Sequence, residues 1–373
     1  MYTDISKAFD SVNHNLLIQK LKNYNVNPNI VKWLSSYLCN RKQLVKINHK
    51  LSKEIVPSSG VPQGSNLGPL LYIIYINDLK NVINHSIFLI YVDDLKIFKE
   101  VTSDKDIKLF KTDIMRLHNW NYLNGLKWNF DKCDIMVYDK WKTKSNYNIE
   151  YKIGKHKIKQ TSVIKDLGIF FEDNLNFNVH IDNIISKSKK RIYFLKKILQ
   201  RFKNIDSLKL FYNSHIKSIL MYGSIIWSPY TKEKIYEIEK IQHQVLRILA
   251  FKQNIDFDYF DHDYKELYIK FKINNLESAR EITDLKFFYN LMNNKIVCNE
   301  IKSVINFYVP KREGLRDRQL MFTIPIEFKN SKKSSSLYRI LETYNMYSKN
   351  IDITNNSEIG FYKSLKKFVA KFN

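Results

Sequence analysis

Cysteine is scarce in this 373-residue chain: Cys39, Cys133 and Cys298 stand far apart and form neither a CxxC nor a Cys/His pattern. That excludes a structural zinc site of the usual spacing and fits a reducing setting inside a cell, nucleus or cytoplasm. Long apolar runs are missing too. The longest, Leu70 to Ile76, is far too short to cross a bilayer, so no membrane partner is expected. Asp4, Lys7 and Asp10 interrupt the start, where a signal peptide would need an apolar stretch. There is no internal repeat and no low-complexity linker. Acids are the remaining shortfall, 37 Asp and Glu against 61 Lys and Arg, which leaves a formal net charge of +24. Such a balance favours polyanionic partners, nucleic acid before membrane, because neutralising phosphates releases counterions. Lys, Asn, Ile, Tyr and Phe are all abundant, as an AT-rich coding sequence would produce, so part of the lysine excess has a compositional explanation.

With 44% hydrophobic and 14% aromatic residues, the chain is no disordered polymer, and its length suits two or three domains. Its organising stretch is Phe88 to Phe98, with the adjacent acids Asp93 and Asp94 between strand-forming residues. It reads as a β-hairpin whose turn holds both acids, with Leu89, Tyr91 and Asp93 sharing one side. Alone, it reads equally well as a surface hairpin with two solvated carboxylates. A second acid, Asp4, lies in Tyr2 to Asp10, and the loop Ser59-Gly60-Val61-Pro62-Gln63-Gly64-Ser65-Asn66-Leu67-Gly68-Pro69 follows. If Asp4 and Asp93 approached within about 4 Å, their repulsion would cost roughly 4 kcal/mol at an effective dielectric near 20. A cluster of that kind needs protons or a hard divalent ion, and Mg²⁺ is commonly held by one or two carboxylates plus substrate phosphates.

These three stretches, in this order, resemble motifs A, B and C of a reverse transcriptase palm of the non-LTR retrotransposon type, jockey-like. The resemblance implies RNA-directed DNA synthesis with an RNA template, a DNA primer and dNTPs. It implies two Mg²⁺ ions, with Mn²⁺ able to substitute, on Asp4 and Asp93, and Asp94 as a further ligand or field-setting neighbour. Phe9 stands where the family carries the bulky residue that excludes a 2′-hydroxyl; its plainer reading is a core aromatic at a strand-to-helix junction. Gln63, Gly64 and Ser65 would lie near the nascent base pair. Gly125 to Cys133 resembles motif D, in which Lys132 would protonate departing pyrophosphate; a solvated lysine is the equal alternative. Asp166 to Phe171 looks like the primer grip, with Leu167 and Gly168 at its bend.

The implied fold is an α+β right-hand polymerase: a partial palm over residues 1–150 with an antiparallel sheet, a primer-grip connection over 151–183, a helical thumb over 184–250 and a basic helical region over 251–373. Only Met1, Tyr2 and Thr3 precede Asp4, so the first palm strand is expected to be nearly absent and the fingers missing. Helical spacing predicts a helix capped by Asp10 with Leu17, Leu21 and Tyr24 inward, and another opened by Asn27-Pro28 with Ile30, Val31, Leu34, Tyr37 and Leu38 inward. Strand-like runs follow at Gln43 to Ile47 and Glu54 to Val56. Ile107, Phe110, Ile114 and Leu117 form another helical stripe.

From Ile184 to Phe202, Ile185, Ile192, Leu195, Leu199 and Phe202 share one helical face. Lys187, Lys189, Lys190, Arg191, Lys196 and Lys197 surround it, either as phosphate contacts or as a solvated face. Leu208 to Trp227 and Tyr236 to Leu249 read as further helices, and a basic cluster gathers around Lys311, Arg312, Arg316 and Arg318. The competing reading from another class is a catalytically inactive nucleic-acid-binding remnant that kept the thumb and lost the fingers. A third is a structural protein with an acidic surface hairpin, which would bind neither metal nor RNA.

Overall fold

The computed structural model describes residues 1–138, 149–198, 201, 204–257, 263–308, 320–324, 335–354 and 357–369. The basic cluster Lys311, Arg312, Arg316 and Arg318, and the apolar Leu199 and Phe202, lie outside the described residues. The chain divides into two units, Met1–Ile164 and Lys165–Asn373.

In the first unit, strands β1 (Tyr2–Asp4), β2 (Ile87–Tyr91), β3 (Asp94–Phe98), β4 (Asp134–Ile135) and β5 (Lys159–Gln160) form one sheet in the order β2-β3-β1-β4-β5. The sheet is mixed, not antiparallel throughout as expected. β2-β3, β3-β1 and β1-β4 run antiparallel, whereas β4-β5 is parallel, in register Asp134 with Lys159. The connection between those last strands is long enough for the crossover that a parallel pair requires. β1 is present and central despite its three residues. Main-chain pairing with β3 on one side and β4 on the other holds it, and the Ile97 N–H donates to the Met1 carbonyl at 2.9 Å.

Alternation along the strands separates two faces. Thr3, Leu95 and Ile97 are buried with Leu71, Tyr72 and Tyr75 of α3 (Leu67–Ile76) and Phe110, Ile114 and Leu117 of α4 (Asp104–Leu123), the stripe read from the sequence. Tyr2, Asp4, Asp94 and Lys96 occupy the other, partly exposed face. α1 (His14–Asn23) is capped by Asn13, whose side chain accepts from Leu16 N–H, and not by Asp10. The chain first makes a 3₁₀ turn over Ala8–Ser11, which carries Asp10 away from the helix start. α2 (Pro28–Leu38) opens as expected, with Asn27 as cap and Pro28 in the first turn. Leu17, Leu21, Val31, Leu34 and Leu38 are buried, but Tyr24 and Ile30, expected inward, are exposed. The strand-like runs pair only in part: Lys46–Ile47 joins Lys50–Leu51, and a single bridge links Gln43 to Ile55.

The second unit is helical. α5 (Asn178–Ile198), α6 (Ile205–Tyr212), α7 (Ser218–Met221), α8 (Ser224–Trp227), α9 (Lys232–Lys252), α10 (Lys265–Phe271) and α11 (Leu276–Met292) lead to α12 (Asn299–Ser303), α13 (Ser336–Tyr347) and α14 (Glu358–Phe368). The helix expected over Leu208 to Trp227 is interrupted by a π turn at Asn213–Lys217 and by Gly223 in the left-handed region, φ 64°. Apolar side chains build one core around α5 and α9 and another around α11, α13 and α14. Beside the latter core, Asp284 of α11 is buried against Arg339 of α13, with Nε to Oδ2 2.8 Å. No helix among the described residues is long and apolar enough to cross a membrane.

His180 on α5 is 2% exposed, and its Nε2 has no hydrogen-bond partner among the described residues. Burial foremost, with the nearby Lys187 charge, lowers its pKa from 6.5 to about 4. Between those values the unfolded chain takes up a proton that the folded imidazole refuses, so stability rises with pH across the window. We expect the second unit to lose roughly 2–3 kcal/mol as pH falls through it. Urea unfolding at neutral pH and near the lower limit measures this, and His180→Phe should flatten the dependence.

Candidate active site

Residues directly opposite one another on paired strands share a face. The register Tyr91-Asp94-Asp4 therefore draws one row across the open face, and Leu89-Lys96-Tyr2-Asp134 draws the next. The hairpin turn is Val92-Asp93, not Asp93-Asp94 as expected, because Tyr91 and Asp94 still pair. Leu89 and Tyr91 thus share their face with Asp94, while Asp93 occupies the tip. Val92 has φ 59°, a left-handed conformation that a β-branched residue adopts only at a cost of about 1–2 kcal/mol. Strain at this turn sits beside the acid that the motif singles out.

Asp4 ends β1 with its side chain 14% exposed. Its Oδ2 accepts from Asn129 Nδ2 at 2.9 Å, and the Lys132 ammonium lies 3.4 Å from both Oδ1 and Oδ2. Asn129 also donates its N–H to the Asp4 carbonyl at 3.0 Å. The structure therefore brings Lys132 to Asp4 through a residue that the sequence reading did not single out. Its signal was its place inside Gly125 to Cys133, next to Trp128, whose burial anchors that segment.

Phe9 rides on the 3₁₀ turn after β1 and rests on the Tyr72 ring, centroids 4.8 Å apart and 30° tilted. The Tyr72 hydroxyl is buried without a partner among the described residues. Burial foremost, then the Asp93 and Tyr75 charges, pushes its pKa up.

The glycine-containing loop is pinned to that same turn. Gly60 N–H donates to Val12 O at 2.8 Å, Val61 N–H to Phe9 O at 2.9 Å, and Gln63 Nε2 to Asp10 Oδ1 at 2.9 Å. Gly64, φ 77°, has nothing within 4 Å of where a Cβ would stand. Ser65 donates to Pro62 O at 2.7 Å and accepts from Gly68 N–H at 3.0 Å, so its hydroxyl caps α3.

Asp4, Asp93 and Asp94 offer hard oxygen donors, the chemistry Mg²⁺ requires. Among the described residues no three His, Cys, Asp or Glu side chains converge closely enough to hold an ion unaided. A site completed by substrate phosphates fits this set, and the ammonium resting on both oxygens of Asp4 marks a position that accepts positive charge.

In the second unit, Leu167 and Gly168 both have positive φ, 44° and 87°, and turn the chain into the strand Ile169–Glu172. Tyr222 fixes that turn, its hydroxyl donating to Leu167 O at 2.9 Å. On α5, Ile181, Ile184, Ile185, Ile192 and Leu195 are buried, while Lys187, Lys189, Lys190, Arg191, Lys196 and Lys197 are all exposed. None of those six is ion-paired with an acid among the described residues.

Comparison with known proteins agrees with this geometry. Residues 1–171 match the family model "Reverse transcriptase (RNA-dependent DNA polymerase)". Three relatives from Drosophila melanogaster are the probable RNA-directed DNA polymerases from transposon BS, 27% identical over 260 residues, and from transposon X-element, 26% over 259, and the RNA-directed DNA polymerase from mobile element jockey, 26% over 266. Each match takes in 67% of this chain, which spans only 28% of the length of those relatives. The motif residues, the sheet that brings Asp4 opposite Asp94, and these matches agree: residues 1–171 are a reverse transcriptase segment, related to the enzymes of jockey, X-element and BS, which are non-LTR retrotransposons.

Proposed function

We propose that the chain is the polymerising part of a retrotransposon reverse transcriptase, adding dNTPs to a DNA primer on an RNA template. In this reading the mixed sheet with α3 and α4 is a palm, reaching to about residue 150. The segment 151–183 is the connection carrying the primer grip at Leu167 and Gly168, residues 184–250 are a thumb, and residues 251–373 a basic helical extension. The observation that carries the reading is the row Tyr91-Asp94-Asp4, with Asp93 at the adjoining tip, on a face that the helices leave open.

Asp4 and Asp93 would hold two Mg²⁺ ions, with Asp94 as a further ligand or a neighbour setting the field. When bound, such a pair supports in-line phosphoryl transfer by activating the attacking oxygen and stabilising the leaving one. The primer 3′-hydroxyl loses its proton to solvent water as its oxygen forms a bond to the α-phosphorus of the dNTP, the bond from that phosphorus to the bridging oxygen breaks, and pyrophosphate departs. Phe9, seated on Tyr72, would stand against the sugar and disfavour a 2′-hydroxyl. Gln63 and Gly64 would border the nascent pair, the open space at Gly64 admitting a close approach, with Ser65 holding the loop in shape. Lys132 would donate a proton to pyrophosphate. The exposed cations of α5 would contact phosphates without reading sequence.

Primer extension by the purified chain on an RNA template, with dNTPs and Mg²⁺, tests the reading. We expect templated product. No product, with duplex binding that weakens steeply as salt rises, would instead support a nucleic-acid-binding remnant.

A further inference from the structure

The carboxylate of Asp4 already carries a cation. The Lys132 ammonium sits 3.4 Å from each of its oxygens, a symmetric position in front of the carboxylate. Asn129 holds the same carboxylate from the side, through Oδ2 at 2.9 Å. One short turn ties these groups together. Asn129 N–H donates to the Asp4 carbonyl, and the Asn129 carbonyl accepts from Lys132 N–H at 3.0 Å and from Cys133 Sγ at 3.3 Å. Any movement of Asn129 therefore moves both the acid and the lysine.

The electrostatics give the ammonium a reason to be there. Asp94 stands directly opposite Asp4 on β3, and like charges in that register destabilise a strand pair. An exposed ammonium offsets the repulsion cheaply, since Lys132 remains 66% exposed and its pair is held loosely. A loose counter-ion is also easily exchanged.

We propose that Lys132 is the resident counter-ion of Asp4, which a divalent cation must displace in order to bind, and that Asn129 is the positioning residue that keeps Oδ2 committed while Oδ1 is left for the ion. The inference rests on the reading that Asp4 and Asp93 are the metal-holding carboxylates. It links metal arrival to release of a protonated lysine at the edge of the site. Lys132 keeps its proton throughout the exchange.

The test is Mn²⁺ binding, read as free ion by electron paramagnetic resonance, for the wild-type chain and for Lys132→Met, Lys132→Arg, Asn129→Ala, Asp4→Asn and Asp93→Asn. Circular dichroism confirms that each variant is folded. Removing the competing ammonium should tighten Mn²⁺ binding roughly two- to fivefold at low salt, with the gain shrinking as salt rises. Lys132→Arg should match the wild type, and Asn129→Ala should weaken binding. Unchanged or weaker binding by Lys132→Met, with binding lost in both acid variants, would overturn the counter-ion inference alone. Wild-type binding by Asp4→Asn and Asp93→Asn would overturn the metal-site reading and the inference with it.

Discussion

Asp93→Asn is expected to abolish RNA-templated primer extension, to below about a thousandth of the wild-type rate, while changing affinity for the same RNA–DNA duplex by less than about twofold. The substitution keeps the size of the side chain and removes the charge at the hairpin tip. Folding has little stake in that charge, because Asp93 lies in the turn, outside the strand pairing that ends at Tyr91 and Asp94. Duplex affinity in this account comes from cations, and the exposed set on α5 is untouched by the change. Measured extension and filter-binding affinity should therefore separate. Equal loss of both would contradict the role proposed for Asp93, since a group that only holds metal has no reason to set the affinity of the α5 cations for phosphates.

The second large effect falls on folding. Gly60→Ala should destabilise the first unit by about 2–5 kcal/mol, from left-handed backbone strain together with forced packing against main chain. Gly60 has φ 88°, and a Cβ there would meet Asp10 Cα at 2.8 Å and Asp10 O at 2.9 Å. Neither atom can swing aside, because Asp10 lies in the 3₁₀ turn that also carries Phe9. Gly64 provides the control. Its φ is 77° but nothing lies within 4 Å of the added carbon, so Gly64→Ala should cost only the strain, about 1–2 kcal/mol. Chemical denaturation of the two variants compares them directly. Similar stability for both would show that the loop is not seated on the turn as described.

The hairpin, the loop into α3 and the stripe of α4 were legible because each carries its own local physics. The hairpin showed as two β-prone runs around acids, and the loop before α3 as glycines that relieve strain or close approach followed by Pro69 in a first helical turn. The stripe Ile107, Phe110, Ile114 and Leu117 showed as plain helical periodicity, and all four are buried. What escaped the reading depends on contacts distant in sequence. β1 looked nearly absent, yet it is held from both sides by strands that begin 92 and 132 residues after its own first residue. Asn129 reaches Asp4 across 125 positions, a pairing that no spacing rule encodes. The turn at Val92-Asp93 was misplaced by one residue because Val92 is a poor turn former, and only the cross-strand register overrules that preference. Gly223 broke an apparently continuous helix for a similar reason: a Cβ there would stand 2.5 Å from Ile169 Cδ1, a neighbour invisible along the chain.

In the proposed mechanism Asp4 at the end of β1 and Asp93 at the hairpin tip hold divalent ions together. Anomalous diffraction from crystals grown with Mn²⁺ and a dNTP tests it most directly. Ion peaks are expected at inner-shell distance, about 2.1 Å, from carboxylate oxygens of both Asp4 and Asp93, with the Lys132 ammonium moved off Asp4. Peaks elsewhere in the molecule, with Lys132 still seated on Asp4 and no ion at either acid, would contradict it.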